Sequence, residues 1–221
     1  MPEFADEAEG PHEAKRETRI TLLAHRRALT GAQRADAAAR VQAELVALVR
    51  RLRPTRMTGY VPVGSEPGGA DLPAVLRAVL APEAELLLPV LRDDLDLDWA
   101  VYTDSASLVA AGRGLREPAG PRLGRSAVVD AQLVVVPALA VDHRGLRLGR
   151  GGGSYDRALA RVPVSTVTVA LLHDGELVAQ VPAQPHDRPV RAVITPAGGL
   201  RTLAEAPGVG PPASAGRSRV G

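Results

Sequence analysis

AQLVVVPALAVDHRGLRLGRGGGSYDR, residues 131–157, begins with a run from Ala131 to Val136 that is apolar at almost every place. Alternation would mark a strand with one wet face. A continuous run instead marks a strand covered on both faces, the habit of parallel sheets. Pro137 lacks a backbone donor and closes the run. Further apolar segments lie on either side. Met57–Val61, Glu85–Leu91 and Leu97–Tyr102 read as strands upstream, and Thr166–Leu172 and Val190–Ile194 downstream. Helical patterns separate several of them. Asp71 is placed to cap a helix over residues 72–80, and Tyr155–Arg161 reads as another. GSEPGG (64–69) and GRGLREPAGPRLG (112–124) read as loops. This alternation predicts an α/β fold, a mostly parallel sheet with helices on both faces.

The N-terminal part is helical. Glu13–Ala28 carries an apolar patch of Ile20, Leu22 and Leu23, and Lys15 and Arg19 share a face four residues apart. Thr30-Gly-Ala-Gln33 has the form of a capping box. The helix it opens presents Val41, Leu45, Leu48, Val49 and Leu52 at helical spacing and stops at Pro54. An N-terminal helical pair followed by one α/β domain over 13–205 is expected. Residues 1–12 (acidic) and 206–221 (rich in Pro, Gly, Ala and Ser) are expected to be disordered.

Composition narrows the function. The chain has 221 residues, 45% hydrophobic but only 2% aromatic, so its core is aliphatic. It has no cysteine, which excludes disulfides, thiolate metal sites and a cysteine nucleophile. A net charge of +2 and sparse aromatics argue against nucleic acid as a partner. No apolar run is long enough for a membrane span, and the acidic start has no signal-peptide core, so a cytoplasmic protein without membrane contact is expected. Lys15 is the only lysine among many arginines.

The glycine loop carries the chemistry. Gly149, Gly151, Gly152 and Gly153 leave the backbone bare, so that N–H groups can converge on an anion. Arg147, Arg150 and Arg157 add charge-assisted donors, and a helix starting near Ser154 adds its N-terminus. This suits a polyphosphate. Asp156 would repel one unless Mg²⁺ lies between them. Neither GxxxxGK[ST] nor G-x-G-x-x-G is present. The histidines show no metal spacing, Asp142 could cap a turn or help a metal and reads better as a turn residue, and Trp99 reads as core or sheet surface.

RLGRGGGSYDRAL (147–159) resembles the R-x-G-x-G-x-G-Y-Y-D-R-x-L loop of the 5-formyltetrahydrofolate cyclo-ligase family. The likeness extends to Lys15 and Arg19 (K-x-x-x-R), Glu66, Glu117-Pro118, the 135–157 run, Pro182, His186-Asp187 and Thr195. Ser154 stands where the family has its first tyrosine, Ala138 and Val141 replace Gly and Phe, and the loop EPGGAD lacks the usual threonine.

The resemblance implies an enzyme that uses MgATP to turn 5-formyltetrahydrofolate into 5,10-methenyltetrahydrofolate, releasing ADP and phosphate. The formyl oxygen would attack the γ-phosphate, N10 would then attack the activated carbon, and phosphate would leave. It implies ATP-binding by Lys15, Arg19 and the loop Arg147, Leu148, Gly149, Arg150, Gly151, Gly152, Gly153, Ser154 and Tyr155. Glu66, with Arg150 to Tyr155, would meet the folate. Arg150 and Asp156 would be catalytic, and Asp156 and Asp187 would carry Mg²⁺. The alternatives are a sugar-phosphate isomerase or CoA-transferase-like enzyme on a similar sheet, and a non-catalytic folate- or nucleotide-binding protein.

Overall fold

The computed structural model describes residues 9–203 except 183, 185 and 186, with side chains from residue 13. His186 and the C-terminal tail therefore lie outside the described residues. Helix α1 spans Glu9–Ala28, starting four residues before the expected Glu13, and α2 spans Gly31–Leu52. The capping box forms as read. Thr30 Oγ1 accepts from the Gln33 N–H at 3.2 Å, and the Gln33 side chain accepts from the Thr30 N–H at 2.8 Å. At the other end Arg53 turns left-handed (φ 47°) and donates to the Val49 carbonyl. Val41, Leu45, Leu48 and Val49 are buried, whereas Leu52, on the last turn, is not.

The strands follow as β1 (Arg56–Thr58), then helix α3 (Leu72–Val79), β2 (Glu85–Leu91) and β3 (Leu97–Val101). Next come β4 (Leu108–Ala110), β5 (Arg116–Pro118), β6 (Leu133–Pro137), β7 (Ala140–Asp142) and β8 (Arg147–Leu148). The last elements are α4 (Ser154–Leu159), β9 (Val167–Leu171), β10 (Leu177–Val178), β11 (Ala192–Thr195) and β12 (Gly199–Thr202). The main sheet runs β12-β11-β9-β6-β1-β2-β3. The pairs from β11 to β2 are parallel, and the two edge strands, β12 and β3, are antiparallel.

The expected strands are present with edges moved by up to three residues, and several features were not read. Asp71 precedes α3 but gives no side-chain cap; its Oδ1 accepts from Gln42 Nε2 at 2.8 Å instead, tying α3 to α2. The supposed loop 112–124 contains β5, which pairs with β4. Three very short strands, β10-β7-β8, form a second sheet.

Alternation along the central strands sorts the core into two layers, because successive side chains point to opposite faces. Leu86, Leu88, Leu133, Val135, Val169 and Leu171 pack under α2 and α3. Leu87, Val134, Val136, Ala170 and Val193 face the other way, against Val128, Trp99 and the α4 residues Ala158 and Leu159. Helix α1 belongs to neither layer. Its Leu22 packs with Leu139, Ala140, Leu148 and Val181 on the small sheet, while Ile20, expected in the apolar patch, is 59% exposed.

Candidate active site

The chain enters the main sheet at β1 and moves outward to β2 and β3. It then returns to β6 on the other side of β1 and proceeds to β9 and β11. Connections thus leave in opposite directions from β1 and β6, and a crevice opens beyond their carboxyl ends. A cleft of about 370 Å³ lies there, floored by Tyr60 after β1, Pro89 and Leu91 of β2, and Pro137 and Ala138 at the end of β6.

The residues expected to meet ATP, folate and metal line this one cleft, but Arg157, expected as a further donor to the anion, does not: its guanidinium turns away to the carbonyls of Leu95 and Gly152. Lys15 and Arg19 enter it from α1, Glu66 from the loop after β1, and Arg147 to Asp156 from the glycine loop and the start of α4. Asp187 closes one side. Gly151 and Gly153 take left-handed φ values of 105° and 65°, which an L side chain resists. A Cβ on Gly153 would also crowd Arg157 Nη1 at 3.1 Å. Arg19 Nε donates to the Gly149 carbonyl at 2.9 Å, so α1 and the glycine loop are joined directly. Helix α4 has only six residues, and its macrodipole is correspondingly small; the positive charge of the site comes from side chains.

Those cations already have carboxylate neighbours. Lys15 Nζ sits 2.8 Å from Asp187 Oδ2, with both side chains 6% exposed. Arg147 Nη2 is 3.0 Å from Asp156 Oδ1, and its guanidinium lies over the Tyr155 ring, 5.7 Å from the centroid. Arg150 Nε is 3.3 Å from Glu66 Oε1. Burial drives several groups from their ordinary values. It lifts the Glu66 carboxyl, against the pull of the Val63 N–H, Arg150 and Arg26. It raises the Tyr60 and Tyr155 hydroxyls, which stay protonated, and lowers the Arg147 guanidinium against the opposing pull of Asp156. Arg147 Nε is buried and has no partner among the described residues, a donor that an anionic ligand would satisfy.

Other residues of the cleft were missed or placed elsewhere by sequence. Tyr60 is one of three tyrosines in the chain and follows β1 by two residues; its rarity is the one signal that could have marked it. Arg113, left-handed at φ 62°, and Arg116 reach the rim from the β4–β5 hairpin. Glu117, part of the family-like Glu117-Pro118, lines the cleft and accepts from the Leu91 N–H at 2.9 Å. Asp142 is fully buried and takes the N–H groups of Arg144, Leu146 and Val181, a turn role as read. Trp99 is core rather than sheet surface. Among the described residues no cluster of three metal-ligating side chains exists.

Two carboxylates, Asp156 and Asp187, are too few for an all-protein metal cage. They fit Mg²⁺, which is commonly held by one or two carboxylates together with substrate phosphates.

Comparison with known proteins points to one family. The family model for the 5-formyltetrahydrofolate cyclo-ligase family matches residues 11–196. The chain is 40% identical over 195 residues to a 5-formyltetrahydrofolate cyclo-ligase of Mycolicibacterium smegmatis, covering 86% of this chain and 97% of that one. It is 30% identical over 154 residues to the cyclo-ligase of Escherichia coli, covering 64% and 85% respectively. Its fold is similar to the solved 5,10-methenyltetrahydrofolate synthetase of Aquifex aeolicus, with a TM-score of 0.72, 27% identity, and coverage of 90% of this chain and 98% of that one. With its glycine loop, its helix-borne Lys15 and Arg19 and a family match over nearly the whole described chain, the protein belongs to the 5-formyltetrahydrofolate cyclo-ligase family.

Proposed function

We propose that this cleft carries out its family's reaction by the following division of labour. Lys15, Arg19 and Arg147, with the bare backbone of Gly149 to Gly153, hold the triphosphate of ATP. Glu66 and the ring of Tyr155 face 5-formyltetrahydrofolate, with Glu66 accepting from its N–H groups. Arg150 lies between the two ligands. It releases Glu66 to follow the charge that develops on the transferred phosphoryl group, where a positioned cation is most effective.

A formamide oxygen leaves very poorly until it is phosphorylated, so the step needs a nucleophile and a γ-phosphate held in line more than covalent help from the protein. The formyl oxygen attacks phosphorus and ADP departs. N10 then attacks the formyl carbon, loses its proton, and phosphate leaves with the former formyl oxygen. Asp156 and Asp187 would hold Mg²⁺, which when bound neutralises phosphate charge. Tyr60 and Tyr155, kept protonated by burial, add no negative charge beside the phosphates.

The observation that carries this reading is the meeting of α1, the glycine loop and two carboxylates in one cleft at the point where strand connections diverge. The test is direct: purified protein, MgATP and 5-formyltetrahydrofolate are mixed, and the near-ultraviolet absorbance of the methenyl product is followed. A rising trace that requires ATP is expected. A flat trace from folded protein would sink the reading.

A further inference from the structure

Glu66 sits in a tight loop whose turns place Gly64, Gly68 and Gly69 at left-handed φ, and within it the Glu66 carboxylate accepts only from the Val63 N–H, at 2.9 Å. The two neighbours of Glu66 are fixed through their carbonyls. Tyr60 Oη donates to the Pro67 carbonyl at 2.9 Å, and His173 Nε2 lies 3.0 Å from the Ser65 carbonyl. A carbonyl can only accept, so His173 Nε2 carries a proton in this contact.

His173 is itself anchored. Its backbone N–H donates to Glu176 Oε2 at 2.7 Å. Glu176 in turn takes both arms of Arg26, at 2.6 and 2.8 Å, and Arg26 Nη2 also reaches the Ala138 carbonyl at 2.6 Å. Arg26 is 1% exposed and Glu176 4%. Arg26 shares the α1 face that carries Lys15 and Arg19, and Ala138 is the first residue past β6. A buried ion pair of this kind is seldom worth more to stability than apolar side chains of the same volume. What a bidentate guanidinium–carboxylate pair supplies is direction.

We propose that His173, backed by the Arg26–Glu176 pair and matched by Tyr60 on the other side of the loop, is a positioning residue that fixes Glu66 for the folate. This rests on the assignment of Glu66 to the folate rather than to ATP. The carbonyls that the clamp holds belong to the neighbours of Glu66, and it reaches the nucleotide side only through the Glu66–Arg150 contact, so its loss falls first on the folate.

The experiment compares wild type with His173→Ala, His173→Gln and Tyr60→Phe. Glutamine keeps a donor at the Nε2 place, and phenylalanine removes only the hydroxyl. Hydrogen exchange over residues 63–69 is expected to speed up about tenfold in His173→Ala and to return within threefold of wild type in His173→Gln. KM for 5-formyltetrahydrofolate is expected to rise about tenfold in His173→Ala and in Tyr60→Phe, while KM for ATP moves less than twofold. Unchanged exchange in His173→Ala overturns the clamp. Should that variant not fold, unchanged exchange in Tyr60→Phe does so. KM values that rise together for both substrates reduce the clamp to a structural tie and overturn the positioning role. If wild type makes no methenyl product, the cyclo-ligase reading falls, and the exchange data alone decide the clamp.

Discussion

Lys15 on the first helix and Asp187 near the far end of the described chain meet at 2.8 Å, and the same Asp187 oxygen accepts the Gln184 N–H at 2.7 Å. The contact closes the cleft on one side and stations the chain's single lysine beside the glycine loop. Removing Lys15 takes its positive charge away from a nearly buried carboxylate that keeps the Gln184 N–H. Lys15→Met is expected to cost about 2–3 kcal/mol in denaturant unfolding. Adding Asp187→Asn should restore more than half of that. Affinity for ATP should fall about tenfold in the single variant and not recover in the double, because the structural and binding roles of Lys15 are separate.

Gly151 and Gly152 are neighbours with different constraints. Gly151 has φ 105°, while a Cβ on Gly152 would meet only Ser154 Oγ at 3.4 Å. Gly151→Ala should strain the loop by about 1–2 kcal/mol and weaken binding of a non-hydrolysable ATP analogue about tenfold in calorimetry. Gly152→Ala should stay within about threefold of wild type. Equal losses would show that left-handed backbone is not what shapes the phosphate cradle.

Burial lifts the Glu66 carboxyl above its ordinary value of 4.5. In that window the folded protein keeps a proton that the unfolded chain gives up. The stability contributed by Glu66 is therefore full below the ordinary value and is lost as pH rises through the raised one. Glu66→Gln cannot ionise. Its melting temperature should match wild type near about pH 4 and exceed it by a growing margin toward about pH 7. A gap that stays constant with pH would contradict this account. The same variant should bind 5-formyltetrahydrofolate more weakly at every pH.

Asp156 is held by Arg147 at 3.0 Å and by the Arg188 N–H at 3.3 Å. Asparagine can keep the first contact but loses the charge a metal needs. Asp156→Asn should melt within a few degrees of wild type, turn over about a hundredfold more slowly, and need more Mg²⁺ for half-maximal rate. An unchanged Mg²⁺ requirement would remove Asp156 from the metal's ligands.

Much of this was legible before any coordinates. Residues 131–136 announce a doubly covered strand because apolar side chains occupy both of its faces, and they do so in the two core layers. The capping box at Thr30 is a local device, complete within four residues. The glycine loop is readable because its chemistry is written in consecutive residues. What stayed hidden is what depends on distance along the chain. Strands β7, β8 and β10 are two or three residues long and show no periodicity. Arg26 looks like ordinary positive charge in a helix's last turn until Glu176, 150 residues away, arrives beside it. Asp71 looks like a cap because the sequence cannot show that Gln42 will compete for its carboxylate.

The mooring of α1 has an effect on how the enzyme fails. This helix rests on the three short strands and its own small apolar cluster, apart from both layers of the large sheet. Segments that bury few apolar side chains open at lower free energy than the body they adjoin, even where, as here, polar ties from Lys15, Arg19 and Arg26 must break as well. On warming, α1 should detach first and take Lys15 and Arg19 with it, so that catalytic death precedes the main melting transition and reverses on cooling.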